Sequence, residues 1–234
     1  MTPRRPRIVA FDVMETMMRL EPLRARFEDA GLPGEALDTW YARTLRDGMA
    51  LTATGDFQPF RPVAEGALRA VSFSAGRRAG NAPAVLDDAA VEHVLDGLAS
   101  LPAHLDVDPA LRRLAAADVP AVCLTNGAGA TTMAFLDHAG LTDLVDRVIG
   151  IEEVRRWKPS AAVYAHAAAA TGVPADRLAL VAAHAWDCHG AKRAGLVTGW
   201  VGRLEGRYGD AFAPPDVTGD DLVQVVDGLL TLDR

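Results

Sequence analysis

The chain has no excess of basic residues, no long apolar run and hardly any cysteine, and each deficit removes a class of protein. Lysine and arginine number 24 against 31 aspartates and glutamates, a net charge of −7. A duplex-DNA binder needs a basic face, and Arg4, Arg5 and Arg7 lead straight into an apolar stretch. Charges break every apolar run well before the ~18 residues of a membrane-spanning helix. The N-terminus has the basic-then-apolar look of a secretory leader. Asp12 and Glu15 interrupt that run, however, and no small-residue cleavage site follows. Two cysteines, Cys123 and Cys188, make neither a disulfide framework nor a metal-ligand cluster. The expectation is a cytoplasmic protein with no nucleic-acid and no membrane partner.

What is present is the ordinary mixture of a folded chain. Half of the 234 residues are hydrophobic and 24% are charged, enough for one substantial core or a core with a small appended domain. The stretch 7–13 is apolar and ends in an acid, which reads as a buried parallel strand. Four later stretches read alike: 119–125, 147–151, 178–183 and 197–201. Helical patterns at 131–139, 161–171 and 187–194 separate them, and strands alternating with helices imply βαβ units around a parallel sheet. The stretch 17–101 differs. Patterns at 20–30, 35–51, 63–74 and 88–98 are helical, with Gly- and Pro-containing turns between them, and 101–104 reads as a return linker. The expected fold is therefore α/β: a Rossmann-like parallel sheet core, residues 1–16 and 102–234, with a helical cap, 17–101, inserted after strand 1.

In open α/β sheets ligands gather at the carboxyl ends of the strands, and three such ends carry polar residues. Asp12 ends strand 1; it reads either as a turn or cap acid or as a carboxylate nucleophile. Thr16, four residues on, either orients that carboxylate or satisfies loop backbone. Thr125-Asn126-Gly127 ends the second core strand and reads as an anion site at a helix start or as a simple N-cap. Lys158-Pro159 precedes a helix, with Pro159 suited to the first helical turn. Lys158 is then either solvated or set in the cleft to keep Asp12 ionised. His184 to Asp187 end the fourth core strand. Asp187 reads as a cap or as the holder of a water near Asp12, and His184 as a structural histidine or a base.

In this order the motifs resemble the haloacid dehalogenase superfamily. They are Phe11-Asp12-Val13-Met14-Glu15-Thr16, Leu124-Thr125-Asn126-Gly127, Trp157-Lys158-Pro159, and His184-Ala185-Trp186-Asp187 with Gly190 to Leu196. Within it the chain looks like the type II, L-2-haloacid dehalogenases. Superfamily phosphatases carry a second acid two residues after the first, to protonate a leaving alkoxide. Met14 stands there, and a halide needs no proton. They also hold Mg²⁺ with an acid where this chain has Ala183. The spacing from Lys158 to Tyr164 is similar to that of the dehalogenases, where both line the site.

The resemblance implies a hydrolase without a cofactor or metal, acting on a small carboxylate substrate and releasing halide. It implies that Asp12 attacks the halogen-bearing carbon to form an ester, which water cleaves to a 2-hydroxy acid. Lys158 and Asp187 join Asp12 as catalytic residues. Thr16, Thr125, Asn126, Tyr164 and His184 line the substrate, with Arg43 (Arg46 second) as the cap arginine that holds halide. A homodimer is the assembly similar dehalogenases suggest. Four positions depart from the pattern: Tyr41 follows Trp40 where an arginine usually stands, Glu15 replaces a frequent glycine, and Ala182 and His184 replace serine and asparagine. The rival readings are hydrolysis of another activated, carboxylate-bearing carbon such as a strained ring, a Mg²⁺-dependent phosphatase, and a non-catalytic binding protein of the same fold.

Overall fold

Among the described residues six short strands carry the molecule, and the four in the middle are mostly apolar and uncharged. The computed structural model describes residues 3–78 and 86–233. Strand β1, Ile8–Phe11, pairs in parallel with β2, Ala121–Thr125, on one side and β4, Leu178–Ala182, on the other. β3, Arg147–Gly150, extends the sheet beyond β2; β5, Val197–Val201, and β6, Val217–Gly219, extend it beyond β4. The order is β3-β2-β1-β4-β5-β6, all parallel. Every residue of β2, β4 and β5 is buried, as strands covered on both faces must be. β3 is an edge strand with Arg147 exposed, so the expected buried strand there is only half covered. β1 and β4 meet where the strand order reverses, and that switch point opens the crevice at their carboxyl ends.

The helices from 17 to 101 follow the expected pattern. α1 is Leu23–Asp29, α2 Ala36–Thr54, α3 Phe60–Arg78 and α4 Asp88–Asp96. Residues 79–85 of the expected cap lie outside the described residues. α2 buries Leu37, Trp40, Tyr41, Thr44 and Gly48, a stripe at helical spacing, and stops at Gly55 in the left-handed conformation. The chain leaves the sheet and returns side by side: the Arg19 amide donates to the Pro102 carbonyl and the His104 amide to that of Met17, both at 2.9 Å.

Trp157, fully buried, ties these helices to the loop before Lys158. Its amide donates to the Thr52 hydroxyl and its indole N–H to the Gln58 carbonyl, each at 2.9 Å, and its ring stacks on Phe60. Gly48 lies so close to the indole that a methyl group there would collide with it.

Five helices complete the core. α6, Gly129–His138, α7, Ala161–Thr171, and α8, Ala185–Arg193, fall where the pattern places them, with α6 and α8 beginning two residues apart from expectation. α5, Val107–Ala116, and α9, Leu222–Thr231, were not expected, nor was β6. α5 buries Val107, Ala110, Leu111 and Leu114 and α9 buries Leu222, Val225, Val226 and Leu229. These are narrow stripes at i, i+3, i+4, i+7 that pack on each other over the sheet. Pro159 precedes α7 by two residues, outside the first helical turn, and its bond to Lys158 is cis.

Candidate active site

Asp12 follows the last residue of β1, so its direction is set by the central strand of the sheet. Thr16 is four residues on, and its hydroxyl donates to Asp12 Oδ2 at 2.7 Å while accepting from the Ala183 amide at 2.9 Å. One side chain thus fixes the Asp12 carboxylate and joins the loop after β1 to the end of β4. Lys158 reaches the same carboxylate from the loop before α7. Its ammonium donates to Asp12 Oδ1 at 2.7 Å, to Asp187 Oδ2 at 2.6 Å and to the Leu124 carbonyl at 2.9 Å. All three ammonium protons have acceptors, and the residue is fully buried. A buried lysine keeps its charge only when so paired. Asp187, in the first turn of α8, receives the Tyr164 hydroxyl on Oδ1 at 2.6 Å. Asp187 caps nothing; the N-cap position of α8 is His184.

His184 lies across the remaining side. Its Nδ1 is 3.0 Å from Asp12 Oδ2 and its Nε2 is 2.8 Å from Glu15 Oε2. The ring packs beside those of Tyr41 and Trp186, with centroids 6.3 and 5.3 Å away. The charges follow from these contacts. Burial pushes the Asp12 carboxyl up, but Lys158 and His184 outweigh it and hold it well below its usual range. Burial pulls His184 down, yet its hydrogen bonds to Asp12 and Glu15 carry it up to about 10. Asp187 is raised by burial and by Asp12, against Lys158. The two acids on one ammonium are therefore unequal: Asp12 is the more firmly ionised and Asp187 the more basic. Tyr41 and Tyr164 are both raised well above 10.0, first by burial, and stay neutral.

Of the residues expected at the site, Asp12, Thr16, Lys158, Tyr164, His184 and Asp187 come together. Thr125 and Asn126 lie at the end of β2, on the same side. The Thr125 hydroxyl accepts from the Gly127 amide at 2.9 Å, and Asn126 Oδ1 accepts from the Lys158 amide at 2.8 Å. Asn126 therefore positions the loop that delivers Lys158. Met14 is buried close to Gly127, an apolar group over the strand-end turn.

Arg43 does not come to the site, which corrects the expectation for it. On α2 it lies about 200° around from Tyr41 and lines an outer groove with Pro33, Thr39 and Val71. Arg46 pairs with Asp47 in solvent. Tyr41 faces the site instead. The signal was present in the sequence: Leu37, Trp40, Tyr41, Thr44 and Gly48 share one helical face, and Arg43 is off it. Among the described residues no arginine bonds to Asp12, Lys158, His184 or Asp187. Arg43→Ala should accordingly leave kcat/KM within about twofold of the parent and stability within about 0.5 kcal/mol, checked by steady-state kinetics and thermal melting.

The donor set does not suit a hard divalent cation. The position that would supply a further carboxylate is Ala183, and the Lys158 ammonium lies between Asp12 and Asp187. Among the described residues no three His, Cys, Asp or Glu side chains are grouped as metal ligands.

A Rossmann-like α/β sheet with a carboxylate–ammonium–carboxylate bridge at its switch point defines the class. The chain belongs to the haloacid dehalogenase-like hydrolases, whose family it matches over residues 6–195. It is 27% identical over 225 residues to the (S)-2-haloacid dehalogenase H-109 of Pseudomonas putida, covering 95% of this chain and 97% of that one. The crystal structure of the L-2-haloacid dehalogenase RSc1362 superposes with a TM-score of 0.86 at 28% identity, covering 98% and 99% of the two chains. The L-2-haloacid dehalogenase of Xanthobacter autotrophicus, a structure with chloropropionic acid covalently bound, shares the fold at a TM-score of 0.83 and 22% identity, covering 95% and 97%.

Proposed function

We propose that this protein hydrolyses short (S)-2-haloacids to 2-hydroxy acids through an ester on Asp12, without a metal. The observation that carries the reading is the fully buried Lys158 ammonium bridging Asp12 and Asp187. It keeps Asp12 ionised in a dry cleft, which is what a carboxylate nucleophile requires. Asp12 attacks the carbon bearing the halogen from the back, and halide leaves with the bonding pair. Thr125 and neighbouring backbone amides hold the substrate carboxylate. Asp187, raised by burial, takes a proton from the water that opens the ester, while Lys158 and Tyr164 hold it in place. The helices of 17–101 act as a cap that excludes water from the first step. The activity of the named relatives supports the substrate class, and Met14 and Ala183 count against phosphate esters.

A second reading has one observation in its favour. With Tyr41 in place of a cap arginine, the leaving-group side has no bonded arginine among the described residues. A strained-ring carboxylate, whose leaving group stays tethered to the product, makes a smaller demand there.

Halide release from a panel of 2-haloacids, run with chelator, with Mg²⁺, beside a strained-ring acid and a general phosphatase substrate, tests both. The expected result is halide release from (S)-2-haloacids, unchanged by chelator or Mg²⁺. Turnover of the phosphate ester with an absolute need for Mg²⁺ would overturn the proposal.

A further inference from the structure

We infer that His184 is a catalytic residue of the ester-opening step: with the Thr16 hydroxyl it forms the oxyanion site for the Asp12 ester, and Glu15 is the positioning residue that holds it. The inference rests on the proposed Asp12 ester and assigns a pair of residues, Glu15 and His184, that replace the glycine and asparagine of similar dehalogenases.

The two oxygens of Asp12 are not equivalent. Oδ2 has two donors, the Thr16 hydroxyl at 2.7 Å and His184 Nδ1 at 3.0 Å, whereas among the described residues Oδ1 has only the Lys158 ammonium at 2.7 Å. Oδ1 therefore keeps the freer lone pairs and is the attacking atom. Once Oδ1 is alkylated, Oδ2 is the carbonyl oxygen of the ester, already between two donors at the distances an oxyanion needs. No rearrangement has to precede the second step.

His184 is doubly protonated on geometry alone. Its two nitrogens face two carboxylates, Asp12 and Glu15, and a neutral imidazole has only one N–H to give. An imidazolium is the stronger donor to a developing oxyanion. The ring is also held: Tyr41 and Trp186 flank it, and Glu15 pins the far nitrogen. Although His184 is the N-cap residue of α8, its side chain makes no cap hydrogen bond, so capping does not account for it.

Glu15 pays for its position in backbone strain. Its φ is 62°, in the left-handed region that favours glycine. A glycine would make the same turn without cost, and strained residues cluster where a side chain has work at a site. Here the strained turn delivers the carboxylate to His184 Nε2.

The step balances as follows. Water attacks Cγ of the Asp12 ester and gives a proton to Asp187, and the carbonyl π pair moves onto Oδ2, held by Thr16 and His184. The pair returns, the bond from Cγ to Oδ1 breaks, and the departing alkoxide takes the proton back from Asp187 to become the 2-hydroxy acid. Asp12, now carrying one solvent oxygen, loses its acid proton to bulk water. His184 stays protonated throughout.

The test follows the ester directly. Enzyme is mixed with (S)-2-chloropropionate, quenched at intervals, and read by intact and peptide mass together with halide release. In His184→Ala the first halide should appear as a burst of one per site. The adduct on the peptide containing Asp12 should then persist, its loss slowed about 10²- to 10³-fold, and free imidazole should speed that loss. Glu15→Gln should show a weaker, roughly tenfold slowing of the same step. This variant decides the matter if His184→Ala fails to fold. A halide burst slowed as much as turnover, with no adduct in either folded variant, would overturn the assignment. Absence of halide release by the parent enzyme across the haloacid panel would instead remove the dehalogenase reading beneath it.

Discussion

A single turnover in ¹⁸O-water, with enzyme in excess over a 2-haloacid, should leave the label in the peptide that contains Asp12 and almost none in the product. The reason is the order in which bonds form. If Asp12 Oδ1 attacks the halogen-bearing carbon, that oxygen becomes the product hydroxyl, and water replaces it by attacking Cγ. Water that attacked the substrate carbon directly would put the label in the product at once. Asp12 is held for the first route: Lys158 keeps it ionised, and Thr16 and His184 fix Oδ2. Asp12→Asn is nearly isosteric, keeps one acceptor oxygen, and leaves the Lys158 ammonium paired with Asp187, so the protein should fold. Turnover should nonetheless fall by about 10⁴-fold or more, the scale on which removal of a residue from a covalent catalytic unit acts. Labelled product in the first turnover, with an unlabelled Asp12 peptide, would reassign Asp12 to a supporting role.

Lys158→Met should cost both activity and fold, because one ammonium serves two buried acids. Removing one partner of a buried ion pair destabilises by about 3–5 kcal/mol. At roughly 2–4 °C per kcal/mol for a chain of this size, melting should fall by roughly 6–20 °C. The pH dependence gives the mechanism away. Burial pushes both acids upward; without Lys158, His184 still opposes this at Asp12, whereas at Asp187 only the Tyr164 hydrogen bond does. The folded-state value of Asp187, already above the unfolded one near 3.8, then rises further. A group raised in this way contributes its stability at low pH and loses it as pH climbs. The deficit of Lys158→Met should therefore be smaller at pH 5 than at pH 8, measured by urea unfolding at each. An equal deficit at both would mean that lost packing, not the unpaired acids, sets the loss.

Much of this site was legible because its residues stand where strands stop. Asp12, Thr125 and His184 each follow an apolar run short enough to be one buried strand, and a parallel sheet aligns such ends by its construction. Lys158 was legible as a candidate only beside the other motifs, since its own neighbours do not say whether it is solvated. Arg43 shows the opposite case. Its charge alone nominates it, whereas the α2 stripe that buries Leu37, Trp40, Tyr41, Thr44 and Gly48 turns it away. α5 and α9 were not anticipated although their stripes are regular. β6 has three residues, too few for any pattern.

By itself the sequence determined the class of fold, the order of the motifs and the absence of a second acid at Met14 and Ala183, because these depend on residue type and on spacing along the chain. Only the tertiary structure decided which groups touch. Lys158 and Asp12 are separated by 146 positions, His184 and Asp12 by 172, and Trp157 and Thr52 by 105. No local pattern encodes such pairings; the first two follow from the parallel strand order, which draws distant strand ends to one crevice, and the third from the packing of α2 against the loop before Lys158. The link from Asp12 through His184 to Glu15 belongs to this second kind. Glu15 could be read as a departure at a turn, but its partner emerges only when the ends of β1 and β4 lie side by side.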